Sequence, residues 1–263
     1  MIKKIVFTFF IATLLLAGEG LPVLTFPRLA QLGYFPSSPL PNENSVHFSY
    51  AAWYLDTDYS SINAYYDKYH FGFQGLISGN IEIRGDVPQT DPIGTTAYYN
   101  SLLFAGRSWT LNRSWSFNTT LKLVSERLYY ASSWGVAADL QACYAFESPV
   151  RILAGLENIG LMSPLLNQST QLPARYYLGA DLHLNSFVVS LMAGTGNDLN
   201  LFYRLGAAYT HSLFDIRYSY DHLQGIHHIG ADLKWNKIRI GYGQYFHQRG
   251  LGYPLMFSIG LCF

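Results

Sequence analysis

The clearest pattern in the sequence lies in the last eleven residues, Tyr253-Pro254-Leu255-Met256-Phe257-Ser258-Ile259-Gly260-Leu261-Cys262-Phe263. Successive side chains of a β-strand point to opposite faces, so a period of two in the sequence predicts a strand. One face of this segment is large and apolar and consists of Tyr253, Leu255, Phe257, Ile259, Leu261 and Phe263. A strand of a soluble β-sandwich has the same alternation, so this segment alone leaves both a sandwich and a membrane barrel open.

The same alternation recurs through most of the chain. In the stretch 214–220, for example, four large apolar residues alternate with Asp215, Arg217 and Ser219. Each such segment has one fully apolar face and one face that carries charge or small residues. The pattern predicts fourteen strands, at 45–54, 59–69, 71–83, 95–110, 114–126, 134–146, 149–158, 174–185, 186–194, 199–210, 212–221, 225–235, 237–246 and 253–263.

The predicted connections alternate in length. We expect the longer ones after strands 3, 5, 7, 9, 11 and 13, as at 84–94 and 159–173. We expect tight turns in between, as at Asn112-Arg113, Glu147-Ser148, Asn185-Ser186 and Asn236. Membrane barrels have short turns at one end and longer loops at the other, and their strand number is even in bacterial single-chain examples. The sequence therefore predicts an all-β fold, a transmembrane antiparallel β-barrel of about 14 strands.

Composition agrees with this class. Charged residues make up 13% of the 263 residues and aromatic residues 16%, whereas a soluble domain carries about 25% charged residues. The mean hydropathy of +0.09 is too low for a helical membrane protein. A net charge of zero without a basic stripe excludes nucleic acid as a partner. Cys143 and Cys262 are too sparse for a disulfide framework, and we expect two buried free thiols.

The N-terminus predicts export. A basic start at Met1–Lys4, an apolar run over 5–16 and small residues before position 21 are typical of a cleaved signal peptide at 1–20. The remaining 21–263 form one domain, a barrel with a proline-rich lead-in at 21–44. We expect the mature chain in the outer membrane of a double-membraned bacterium, with outer-membrane lipid as its surroundings. The C-terminal segment quoted above is similar to the terminal strand that the barrel assembly machinery recognises during insertion.

In a membrane barrel the charged face of each strand lines the lumen. This predicts a set of lumen-lining charges: Lys122, Asp139, Asp181, Arg204, Asp215, Arg217, Asp232, Lys234 and Arg239. Two interpretations stay open. The charges pair across the interior and help to close it, or they form a scattered, hydrated wall. Their mixed signs argue against strong charge selectivity, which a ring of one sign would favour.

Catalytic and metal chemistry is not expected. His47 and Ser49 share a strand face, a spacing that can place a base beside a nucleophile, but no carboxylate is evident to orient the histidine. His227 and His228 are adjacent and point to opposite faces, so they cannot bind one metal ion together. We predict that the protein is no enzyme and holds neither a metal nor a cofactor.

Several short elements between residues 119 and 235 follow a familiar order. A small-residue run, Tyr130-Ala131-Ser132-Ser133-Trp134-Gly135-Val136-Ala137-Ala138-Asp139-Leu140, is followed by Glu157-Asn158-Ile159-Gly160 and then by Leu172-Pro173-Ala174-Arg175-Tyr176-Tyr177-Leu178-Gly179. This order resembles the PorV/PorQ family of outer-membrane barrels, which falls in the same broad class as the FadL hydrophobic-compound transporters. The Asn-Pro-Ala element that these families often carry near the mature N-terminus is absent, and the corresponding stretch reads Pro39-Leu40-Pro41-Asn42-Glu43-Asn44.

The resemblance implies a 14-stranded barrel and a role in protein export. PorV/PorQ-like proteins act as accessory or docking components of type IX secretion, so secreted proteins or secretion components become expected partners. The FadL-like class implies the alternative, a FadL-like or porin-like channel for small molecules, including hydrophobic ones.

Overall fold

Alternating sequence segments form fourteen strands in the computed structural model, which describes residues 44–52, 56–83, 91–147, 149–165, 171–197, 200–222, 225–247 and 254–263. The predicted signal peptide at 1–20, the lead-in up to residue 43 and Tyr253 lie outside the described residues. The strands are β1 (Ser45–Ala52), β2 (Thr57–Tyr66), β3 (Tyr69–Ile83), β4 (Gly94–Thr110), β5 (Trp115–Leu128), β6 (Ala131–Ala145), β7 (Val150–Met162), β8 (Arg175–Leu184), β9 (Phe187–Gly196), β10 (Leu201–Thr210), β11 (Phe214–Asp221), β12 (Ile226–Trp235), β13 (Ile238–His247) and β14 (Leu255–Cys262).

Every strand pairs antiparallel with its neighbour in sequence, and β1 pairs with β14 to close the barrel. The closing register runs from Ser45 opposite Cys262 to Ala52 opposite Leu255. Closure leaves no unpaired sheet edge, which a strand array in lipid requires because lipid cannot satisfy backbone N–H and C=O groups. The prediction of a 14-stranded antiparallel barrel is confirmed. In the part of the chain that the structure describes, no helix is long and apolar enough to cross a membrane.

The outer face of the barrel is apolar. Large side chains such as Phe48, Leu121, Leu178 and Phe257 are exposed on it, because they occupy the outward positions of the alternating pattern. On β14 the described members of the apolar face, Leu255, Phe257, Ile259, Leu261 and Phe263, are all exposed. Such a continuous exposed apolar surface is unfavourable in water and suits contact with lipid.

Both described chain ends lie at one end of the barrel, where the Phe263 amide donates to the Asn44 carbonyl at 2.9 Å. We call this the termini end and the opposite one the loop end. Tight turns at the termini end connect β2 to β3, β8 to β9 and β12 to β13. Each begins with a residue in the left-handed conformation, Asp67, Asn185 or Asn236, which Asp and Asn tolerate better than most residues.

The predicted alternation of connection lengths is wrong in one place. The connection from β5 to β6 is at the loop end but consists of Tyr129 and Tyr130 alone, because both strands continue further than the sequence pattern indicated. The longer connections at this end are 84–93, between β3 and β4, and 163–174, between β7 and β8. Strands β3 to β7 are also the longest of the barrel, so this side of the wall extends further at the loop end.

Inside the barrel, large side chains lie along the wall over glycines of the adjacent strand. The Tyr177 ring covers Gly155, and the His47 ring covers Gly260, leaving no room for a Cβ at either glycine. The two cysteines are free, but both are partly exposed rather than buried. Cys143 is near the last residue of β6 and Cys262 is the last residue of β14, and both lie at the rim of the termini end.

Candidate functional site

The interior of the barrel is divided into charged and apolar zones. Three clusters of buried apolar residues lie in the middle of the strands and toward the loop end, and a group of ion pairs lies toward the termini end. Inward positions of a porin-like barrel are polar, because they line water. The apolar clusters are therefore the feature of this interior that needs a functional explanation.

Four charged residues of β11 and β12 form one network, the charge cluster (Asp215, Arg217, Asp232 and Lys234). Arg217 lies 3.2 Å from Asp215 and 2.7 Å from Asp232, and the Lys234 Nζ lies 2.6 Å from Asp215. Arg239 stands opposite Lys234 in the register of β12 and β13. Two acids and two bases compensate each other within the cluster, so it presents no ring of one sign to a solute.

A second network, the clamp cluster, joins three inward residues: Lys122 of β5, Asp139 of β6 and Asn158 of β7. Lys122 Nζ lies 2.6 Å from Asp139 Oδ2, and both side chains are less than a tenth exposed. Lys122 also donates to Asn158 Oδ1 at 2.7 Å, and the Asn158 backbone amide donates to Asp139 Oδ1 at 2.8 Å. Since the buried lysine and aspartate have both an opposite charge and hydrogen-bond partners, the cost of burying them is offset.

The remaining predicted charges also have interior partners. Arg204 pairs with Asp221 at 2.5 Å and its guanidinium lies 5.6 Å from the centre of the Phe202 ring. Asp181 accepts a hydrogen bond from the Ser190 hydroxyl at 2.7 Å, and His183 Nε2 lies 3.9 Å from it.

The structure places all nine predicted charges on inward faces and brings most of them into pairs. Seven of them form ion pairs: Lys122, Asp139, Arg204, Asp215, Arg217, Asp232 and Lys234. These pairs join neighbouring strands of the wall, β5 with β6, β10 with β11 and β11 with β12, so the two interpretations of the interior both stay open. The pairs divide into separate groups rather than forming one continuous chain around the barrel.

The apolar clusters involve twelve of the fourteen strands, all except β3 and β11. One joins Ala51, Tyr59, Ile226, Tyr245 and Met256 at the loop end of β1, β2, β12, β13 and β14. Another joins Leu153, Tyr177, Met192 and Phe202 of β7 to β10. The third joins Leu102, Phe104, Val124 and Ala137 of β4 to β6 with Leu172, which belongs to the connection between β7 and β8. All of these residues are buried, so apolar packing makes up much of the interior of the described barrel.

Leu172, Pro173 and Ala174 form a buried segment of that connection. The Leu172 carbonyl accepts a hydrogen bond from the Asn197 side chain at 2.8 Å, and the Pro173 carbonyl accepts one from the Asn158 side chain at 3.1 Å. A loop normally runs over the surface, since burying its backbone leaves polar groups without water. Here side-chain amides replace the water, and the segment is held inside the barrel.

Sequence reasoning missed several interior residues. Asp221 lies in the predicted strand 212–221 and continues the alternation of Asp215 and Arg217, so the same pattern would have found it. Asn158, Asn197 and Leu172 had no such signal. Asn158 faces inward only because the register of β6 and β7 shifts between Ala138 and Leu140, so that two β7 residues stand opposite Asp139, and bulges of this kind are not visible in a period-two pattern.

The histidine near the start of β1 contacts a different serine from the one considered above. His47 Nε2 lies 3.1 Å from Ser45 Oγ, whereas Ser49 is buried one step further along the same face. The His47 ring lies against the backbone of Gly260, which identifies it as a packed wall residue.

An apolar groove of about 670 Å³ crosses the outer face of β4 to β10. Its floor is shallow because small residues, Ala142, Ala154 and Ala193, occupy outward positions in the middle of three strands. Larger residues rise around them: Trp109, Phe117, Leu140, Leu156, Tyr176, Leu178 and Leu201. The groove faces away from the interior clusters and belongs to the apolar outer surface.

Comparison with solved structures identifies the architecture. The chain is similar to the toluene transporter TodX of Pseudomonas putida, at a TM-score of 0.56 and 12% sequence identity, over 94% of this chain and 97% of that one. The chain shares the barrel fold of TodX. A TodX variant, the ΔS2S3 mutant described as a monoaromatic hydrocarbon channel, is similar to the same degree, at a TM-score of 0.56 over 93% of this chain and 97% of that one. No family model matches the sequence, and comparison with curated proteins gives no match.

These comparisons bear on the fold and not on the family of the chain. At 12% identity they establish the fold and leave the membership in the PorV/PorQ family a prediction.

Proposed function

We propose that this protein is an outer-membrane channel for small hydrophobic molecules. The observation that carries the proposal is the apolar character of inward positions that line water in porin-like barrels. Leu153, Tyr177, Met192 and Phe202 form such a patch in the middle of the wall. The fold similarity to a toluene transporter supports the same cargo class.

The charges of the interior are consistent with this cargo. The charge cluster and the pair of Arg204 with Asp221 neutralise themselves within the wall. A ring of uncompensated charge gives a neutral solute no electrostatic attraction and replaces apolar contacts with hydrated groups. Charges that are compensated within the wall are therefore compatible with a hydrophobic cargo. We assign the mature chain to the outer membrane, and the purified protein is expected to need detergent and to migrate differently on a gel before and after heating.

Uptake tests the transport proposal. The chain is expressed in the outer membrane of a Gram-negative host without its own aromatic-uptake barrel, and initial uptake of radiolabelled toluene is compared with that of a sugar. Met192→Gln has nearly the same side-chain length but places an amide in the apolar patch, and it is expected to lower toluene uptake about tenfold. Leu191→Met, on the neighbouring outward position, is the matched control. Equal toluene uptake with and without the barrel would reject the proposal.

The docking role in protein secretion stays a prediction of the PorV/PorQ resemblance. Co-purification of a secreted protein or a secretion component from the native cell would support it. A deletion strain that loses toluene uptake while its secretion is intact would favour the channel.

A further inference from the structure

One segment of the wall does not follow the barrel outline. Residues 171–174, which precede β8, are turned into the interior, and Leu172 packs against Leu102, Phe104 and Val124 on the other side of β7. We propose that Leu172 forms a constriction that sets the size limit for hydrophobic molecules passing through the barrel, and that the clamp cluster holds it in place. This inference rests on the proposed function.

Asn158 is the residue that connects the clamp cluster to the segment. Its side-chain carbonyl accepts from Lys122 at 2.7 Å, while its side-chain amide donates to the Pro173 carbonyl at 3.1 Å. Asn158 is 1% exposed and has a φ of 57°, the left-handed conformation that places its side chain inward at the bulge of β7. Asparagine is one of the few residues that adopt this conformation readily and still supply an amide.

A second asparagine holds the segment from the opposite side. The side chain of Asn197, which follows β9, donates to the Leu172 carbonyl at 2.8 Å, and its backbone amide donates to the Ala174 carbonyl at 3.2 Å. Three consecutive carbonyls, from Leu172 to Ala174, therefore have partners on β7 or beside β9. The backbone is fixed by hydrogen bonds, whereas the Leu172 side chain is held by apolar contact alone.

This division of contacts gives the constriction its selectivity. Apolar contact is not directional, so a hydrophobic solute can replace Leu172 against Leu102, Phe104 and Val124. A polar solute offers no such compensation. Because hydrogen bonds fix the backbone of the segment, only the Leu172 side chain can move aside. The opening that this creates is small, so larger aromatic molecules do not pass.

Uptake of solutes of different size tests the constriction. With Leu172→Ala, uptake of the bicyclic biphenyl relative to toluene is expected to rise about tenfold, because removing three carbons widens the passage. Leu178→Ala, the same substitution on the outward face of β8, is the matched control. A biphenyl-to-toluene ratio for Leu172→Ala equal to that of Leu178→Ala would overturn the proposal.

A labelling experiment tests the clamp without relying on transport. Leu172→Cys is introduced into a Cys143→Ala, Cys262→Ala background, and its reaction with a maleimide is followed in detergent micelles. Asn158→Gly still permits the left-handed backbone conformation but removes the side-chain amide that binds the Pro173 carbonyl. Loss of this buried hydrogen bond is expected to increase the rate of maleimide labelling at position 172 about tenfold. Heat-dependent gel migration confirms that each variant is folded.

The two experiments separate the possible failures. Unchanged labelling in Asn158→Gly would refute the clamp. Faster labelling in a barrel that takes up neither solute would overturn both the size limit and the transport proposal and leave the clamp standing.

Discussion

Asp139 shows what a single inward residue does in this wall. It forms an ion pair with Lys122 at 2.6 Å and accepts a hydrogen bond from the backbone amide of Asn158 at 2.8 Å. The sequence indicated only that a charge stood on the inward face of its strand. Its two partners come from strands on either side, and one of them depends on a bulge.

Removing one member of this pair is expected to be more damaging than removing both. Asp139→Ala leaves the Lys122 ammonium buried without its counter-charge and is expected to lower the free energy of unfolding by about 3–5 kcal/mol. The double variant Lys122→Met, Asp139→Leu removes both charges and is expected to lose less. Urea-dependent unfolding of the refolded barrel in lipid measures this, with Lys68→Ala in the exposed turn after β2 as the control. A double variant that is less stable than Asp139→Ala would contradict the account.

Gly155 makes a second residue-scale prediction. Because the Tyr177 ring occupies the space of its missing side chain, Gly155→Val is expected to destabilise the barrel by about 1–3 kcal/mol. Adding Tyr177→Ala should restore part of this loss, since the clash disappears. A double-mutant cycle from unfolding measurements gives the coupling between the two positions, and zero coupling would mean that the ring does not determine the preference for glycine.

At the scale of elements, β14 contributes to both faces of the barrel wall, because its successive side chains point alternately inward and outward. Met256 and Ser258 face the interior, while Leu255, Phe257, Ile259 and Leu261 are exposed on the apolar outer face. The strand also closes the barrel against β1. The strand bounds in this region agree closely with the sequence pattern, because alternation is strongest where one face is exposed and apolar and the other lines the interior.

Ile259→Lys tests the assignment of the outward face. A lysine at a lipid-facing position near the middle of a membrane is expected to cost about 2–4 kcal/mol, and the fraction of folded, heat-modifiable barrel should fall. Ser258→Thr, on the neighbouring inward position, is the control and should fold normally. Folding of Ile259→Lys at the level of the control would indicate that this face does not meet lipid.

The β7–β8 connection is the element that the sequence described least well. A longer connection was predicted here at 159–173 and is found at 163–174, and Leu172-Pro173 was part of the family resemblance, but nothing in the pattern indicated that the connection turns inward. A loop is assigned to the surface by default. The inward path depends on amides supplied by Asn158 and Asn197, which are distant from it along the chain.

The whole molecule is a closed wall with compensated charges inside. The ion pairs are distributed over β5, β6 and β10 to β12, and many inward polar side chains, such as Ser49 and Asp181, are buried. We expect an interior built in this way to offer little hydrated surface to ions.

Single-channel recording measures this property directly. In planar bilayers the barrel is expected to show only small conductance and little preference between anions and cations, because most of the predicted inward charges are paired. Protein heated before reconstitution serves as the control for contaminating channels. A large, steady ohmic conductance would rule out the compact interior.

The sequence by itself determined the class of the fold, the strand number and which charges face inward. These properties are local, since a period of two assigns each side chain to a face wherever a strand separates apolar from polar surroundings. Three features became evident only from the tertiary structure: the pairing of the charges, the two-residue length of the β5–β6 connection and the position of Leu172 inside the barrel. Those features depend on register, on a bulge and on contacts between residues far apart in the chain, and a periodic pattern contains no information about distance between strands.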